Sequence, residues 1–152
     1  MENKFELATI DNSIFEIAEA GTRTQLRYST TADDVTLFNA INSSSENLDD
    51  YIDNAVPVEV ADVVITNATV REGRTDDGEP DESTPLIDKP CCHFMLADGK
   101  HLSSLSNGII KSVKSLLEIG FMPTPEHTII IKFKRVKTKK GLAHTFDLIK
   151  RN

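Results

Sequence analysis

Apolar positions set the organisation of the chain through their spacing. From Val56 they recur at every second residue, and Val58, Val60, Val64, Thr66 and Val70 describe a long β-branched strand that is bent or bulged midway. Pairing resumes from Leu86 to Ala97, stops at the Asp98-Gly99 turn signal and continues as a short strand from Lys100 to Leu105. The spacing then becomes helical. Ile109, Ile110, Val113, Leu116 and Leu117 share one face behind a Ser106 or Asn107 cap, and Gly120 ends the run, with Pro123 and Pro125 beyond it. His127 to Val136 and Leu142 to Ile149 alternate again as two strands. They are joined by Lys137-Thr138-Lys139-Lys140-Gly141, whose glycine supplies the positive φ of a tight hairpin.

Before residue 56 the pattern is more broken. Ser13 to Ala20 and Thr22 to Ser29 read as short strands around Gly21. Thr31-Ala32-Asp33-Asp34 is a capping-box-like start, with Thr31 as the cap, to a short helix that groups Val35, Leu37, Phe38 and Ile41 and ends in Ser43-Ser44-Ser45. Glu46 to Asn54 places Leu48, Tyr51 and Ile52 at helical spacing and leaves Asp49, Asp50 and Asp53 to solvent. The run Asp76-Asp77-Gly78-Glu79-Pro80-Asp81-Glu82 breaks any regular element, so residues 72–83 read as a mobile, acidic hairpin loop.

The expected fold class is mainly β with helices (α+β). Residues 56–152 give β-β-β-α-β-β, the order of a five-stranded OB-like barrel with its helix between strands three and four. Residues 1–55 form an N-terminal α/β extension packed on that barrel, in one unit overall.

Charge changes the picture. The net charge of −7 argues against a polyanionic partner until its distribution is considered. Residues 1–56 carry eleven acids against three bases, whereas residues 126–152 carry eight bases against two acids, concentrated in the last hairpin. Such a hairpin with interleaved aromatics suits single-strand binding, because cations follow phosphates and flat side chains stack on unpaired bases. The candidate contacts are Lys132, Lys134, Arg135, Lys137, Lys139, Lys140, Lys100 and His144, with Phe94, Phe133, Phe146 and Tyr51 for stacking. Burial in the core is the competing reading for each phenylalanine.

Other chemistry finds little support. Cys91-Cys92-His93 lacks the second ligand pair of a zinc site, and a vicinal pair staples nothing, so no metal or cofactor is expected and the cysteines suit a reducing compartment. His93, His101, His127 and His144 join no nucleophile, and no glycine pattern makes a phosphate loop. No apolar run is long enough to span a bilayer and the start lacks a secretion signal, which together place the chain in the cytoplasm.

Particular segments resemble a known family. Leu37-Phe38-Asn39-Ala40-Ile41-Asn42 followed by Leu48-Asp49-Asp50-Tyr51-Ile52 is similar to the start of single-stranded DNA-binding proteins from phages of Gram-positive hosts. A valine-rich strand, a variable acidic loop and a strand ending Phe94-Met95-Leu96-Ala97-Asp98-Gly99-Lys100 resemble the family's next three segments, in the same order. Ser104-Leu105-Ser106-Asn107-Gly108-Ile109 resembles the family's helix start, with Ile110 in place of an aromatic, and Ile129 to Lys134 with Lys139-Lys140-Gly141 its closing hairpin. The similarity runs from about residue 35 to 149. Two departures stand out: Phe121-Met122-Pro123-Thr124-Pro125 lacks the family's tryptophan, and the chain closes on Lys150-Arg151-Asn152 where the bacterial counterparts have an acidic tail.

The resemblance implies a non-catalytic protein that coats single-stranded DNA during phage replication or recombination; if replication proteins are recruited as partners, the acidic N-terminal region is the better candidate for it. The competing expectation is a protein-binding module, an inhibitor or adaptor of a host factor, acting through that acidic third. An aspartate-based nuclease is the weaker third reading.

Overall fold

A 14-residue run rich in valine organises the fold, because β-branched side chains pack well on a pleated surface. The computed structural model describes residues 26–42, 45–139 and 141–152. Its elements are β1 (Leu26–Ser29), α1 (Asp34–Asn42), α2 (Leu48–Asp53), β2 (Val58–Arg71), β3 (Leu86–Leu96), β4 (His101–Ser104), α3 (Asn107–Glu118), β5 (Ile129–Thr138) and β6 (Gly141–Arg151). The strand expected at Ser13 to Ala20 and the serines Ser43 and Ser44 lie outside the described residues.

All six strands pair antiparallel, five along the path β4-β3-β2-β5-β6 and β1 beside β2. β3 follows one edge of β2 from Val60↔Leu96 to Arg71↔Leu86. The other edge is shared, by β5 at Val58 to Val60 and by β1 at Val64 to Thr66. The expected irregularity in β2 is a bulge between Val60 and Asp62.

The element order from β2 onward is the expected one, but closure is not. Among the described residues no ladder joins β4 to β6, so the sheet is six-stranded and open rather than a five-stranded barrel. It is nevertheless strongly curled. Phe94 of β3 and Phe146 of β6 are three strand spacings apart along the path, about 14 Å in a flat sheet. Their ring centroids are 5.8 Å apart, and Phe133 of β5 completes an edge-on trio at 5.2 and 5.8 Å. Curling buries one face around Val60, Val63, Ile65, Phe94, Ile131 and Phe133. Ile109, Val113 and Leu116 of α3 seal it, as the helical spacing predicted.

Two local expectations change. Asp33, rather than Thr31, caps α1: its carboxylate accepts from the Thr36 N–H at 2.9 Å. Val35 and Phe38 of that helix are 68% and 65% exposed, and Ala40 is its buried residue. The reason is spacing, since Leu37 and Ala40 form one stripe while Val35, Phe38 and Ile41 form another. The acidic segment between β2 and β3 is the expected hairpin loop, and it carries hydrogen bonds of its own. Thr75 donates to Glu79, Asp81 donates to Gly73, and Arg74 bridges to Pro80.

Opposite the core face, a polar chain is buried. His93 Nε2 lies 2.8 Å from Thr66 Oγ1, and its Nδ1 lies 2.9 Å from His101 Nε2. Burial, and secondarily the His101 ring, push the His93 pKa down to about 4, and burial lowers that of His101 as well. Both rings are therefore neutral in the folded protein, whereas an unfolded histidine titrates near about 6.5. Stability is full above that value and falls as the pH drops toward 4. Asp62, whose carboxyl burial raises, offsets part of this at the acid end. Chemical denaturation should show a loss on the order of 2 kcal/mol between pH 7 and 4. A His93→Gln variant should lose most of that slope; an unchanged slope would locate the acid sensitivity elsewhere.

Candidate nucleic-acid interface

The β5–β6 hairpin has two different faces. Phe133↔Phe146, Arg135↔His144 and Lys137↔Leu142 pair on the side that begins in the core, and Lys132↔Asp147, Lys134↔Thr145 and Val136↔Ala143 on the outside. Apolar burial ends at Phe133, and the strands continue as a projecting ribbon that Gly141 turns at φ 120°. Lys137 and Lys139 are exposed at its end and form no ion pair among the described residues. Lys140 lies outside the described residues.

The other predicted cations are held differently. Lys132 is half-buried on the outer face. Lys134 Nζ pairs with Asp147 at 2.9 Å, an exposed contact worth little in water. Arg135 is clasped by α2: Nη1 donates to Asp53 and Nη2 to Asp49, each at 2.7 Å. These two bonds, Asp53 first, raise the guanidinium pKa further. His144 Nε2 approaches Asp49 at 3.3 Å. Thus α2 lays two carboxylates across the inner side of the basic ribbon, where the sequence had assigned them to solvent.

The aromatic candidates separate clearly. Phe94 is 0%, Phe133 1% and Phe146 8% exposed, so all three take the competing reading and present no face to a base. Tyr51 is half-buried on α2, where it lines a 220 Å³ hollow with Lys100, Glu46 and Asp50. Lys100 and Tyr51 are therefore brought together, but in a hollow set among acids rather than on the ribbon.

Sequence reasoning missed a cleft. The start of α3 docks on the edge of β6, where Ser106 Oγ donates to the His144 carbonyl at 3.2 Å and accepts its N–H at 3.3 Å. Gly108 makes this approach possible, since a Cβ there would stand 2.2 Å from the same carbonyl oxygen. A cleft of about 700 Å³ opens between this helix and the ribbon, lined by Lys111, Ser112, Val136, Thr138, Leu142 and Thr145 among others. Ser112 and Thr145 hydroxyls meet across it at 2.7 Å. In the sequence, Lys111 falls off the apolar stripe of its helix, and no motif marks it.

Cations at a ribbon's tip, a hydroxyl-lined cleft below and an exposed Leu142 offer charge, hydrogen bonds and an apolar contact to an extended polyanion. Among the described residues no group of three metal-ligating side chains is present, and no helix is long and apolar enough to cross a membrane. Neither the curated proteins nor the solved structures gave a match to the chain. A model of the family described as phage single-stranded DNA-binding protein matches residues 20–149, which covers the whole sheet except its last two residues. The ribbon, its cleft and the helix that forms the cleft's wall all fall within the matched span, and the chain belongs to the phage single-stranded DNA-binding protein family.

Proposed function

We propose that this protein coats single-stranded DNA with little sequence preference, along the β5–β6 ribbon and the cleft beside α3, and performs no chemistry on the strand. The observation that carries the reading is the pair of exposed lysines at the ribbon tip, neither in an ion pair among the described residues, in a chain matched to this family over residues 20–149. Lys137, Lys139 and Lys111 would take phosphates, Lys132 would extend the track along β5, and Leu142 would meet a base. Phosphate contacts dominate such binding, and stacking adds affinity with little base preference. Protection of phage DNA during replication or recombination, in the host cytoplasm, is the corresponding role.

The β2-to-β6 order and the curl support an OB-like architecture, with α3 covering the opening between β4 and β6. The acidic α1 and α2 that precede β2 then serve as an extension of that unit. The competing partner-binding reading loses two of its acids, because Asp49 and Asp53 are engaged by Arg135 within the chain.

The test is a titration of fluorescent oligo-dT of about 30 nucleotides against protein at several salt concentrations. The expected result is tight binding whose log affinity falls linearly with log salt, by about 0.7 per phosphate neutralised, with the matching duplex bound more weakly. Absent or salt-insensitive binding would overturn the proposal.

A further inference from the structure

A second cationic hollow lies on the other side of the α3 start. Where β2 and β3 run past the ends of their neighbours, Arg71, Arg74 and Lys89 line a cleft of about 580 Å³ with Leu86, Leu105 and Asn107. Backbone carbonyls fix the two guanidinium groups, since Arg71 Nη1 donates to Thr84 at 3.0 Å and Arg74 Nη1 to Gly78 at 2.8 Å. Each keeps further N–H groups for a ligand. None of the three cations forms an ion pair among the described residues. Lys89 instead faces a like charge, and burial together with Arg74 lowers its pKa. Arg74 and Lys89 thus set like charges side by side along the hollow, and an entering anion relieves that repulsion.

The surrounding acids limit where that anion can lie. Glu72 is on the lining, Asp81 acts electrostatically on Arg71, and Asp76, Asp77 and Glu79 occupy the turn beyond, so the positive region is the stretch of the hollow beside Arg74 and Lys89 and not the hairpin tip. Asp88 is fully buried, accepts from Thr69 at 2.7 Å and acts electrostatically on Arg27. Asn107 lines both this hollow and the cleft beside the ribbon, which makes the two contiguous around the first turn of α3.

We propose that Arg71, Arg74 and Lys89 form a second phosphate-binding cluster, which takes the single strand as it leaves the ribbon cleft past Asn107. This rests on the single-strand reading and extends its track. The experiment compares the wild type with Arg74→Gln/Lys89→Gln, using oligo-dT of about 8 and about 30 nucleotides, lengths chosen around the span of one such domain. The long oligomer should bind the variant roughly tenfold more weakly at low salt, with a salt slope shallower by about 1.4, while the short one binds within about twofold of wild type. Lys89→Gln alone should show part of the same length-dependent loss, which guards against loosening of the Arg74–Gly78 turn. Unchanged affinity for the long oligomer, or an equal loss at both lengths, overturns the second cluster and leaves the ribbon reading standing. A wild type that binds neither length removes the ribbon reading itself, and the cluster with it.

Discussion

Replacing Lys132, Lys137 and Lys139 together by glutamate is expected to lower affinity for oligo-dT by roughly a hundredfold or more at low salt. Lys137 and Lys139 stand at the end of a ribbon that buries little beyond Phe133, and neither is engaged by a carboxylate among the described residues. Reversal therefore removes phosphate partners and adds repulsion while leaving the core intact. The thermal midpoint of the Lys137→Glu/Lys139→Glu pair alone should move little, since surface substitutions away from packed features stay within about 0.5 kcal/mol. Lys100→Glu provides the comparison: that lysine sits in the hollow beside Glu46 and Asp50, and its reversal should change affinity less than about threefold. A triple variant that still binds tightly would show that the strand runs elsewhere.

Phe133→Ala should cost about 3–5 kcal/mol of stability, measured by chemical denaturation, because the ring is 1% exposed and meets both Phe94 and Phe146 edge-on. The informative companion is Phe133→Leu. It keeps most of the volume, should cost about 1.5 kcal/mol or less, and should leave DNA affinity within about twofold of wild type. A folded Phe133→Leu protein with strongly reduced affinity would make the ring a base-stacking residue after all.

Much of the fold was readable because its signals are local. The α3 stripe, the Asp98-Gly99 turn and the glycine of the last hairpin depend on neighbours within a few residues, and the corresponding elements stand where expected. Closure of the barrel was not readable: it depends on whether β4 and β6 find each other, and nothing in either strand encodes that. The exposed Val35 and Phe38 mislead for a related reason, since periodicity identifies a stripe but not the surface that covers it.

The candidate site follows the same division. The basic ribbon is contiguous in sequence and was legible as a charge run. Its modifiers are not contiguous. Arg135 meets Asp49 across 86 positions, and Lys111 reaches the ribbon only because Gly108 lets α3 approach β6. Stacking aromatics were assigned from alternation, and alternation alone does not tell an inner face at Phe133 from a wet one at Lys137.

The α2 clasp alters how contacts can be counted. Arg135 already has anionic partners before any DNA arrives, so a phosphate reaching it exchanges one anion for another. The displaced Asp49 and Asp53 then gather cations from solution, which cancels the ions shed by that phosphate. Arg135 can hold the strand without leaving a mark on the salt slope, and the number of cations inferred from that slope will fall short of the number in contact.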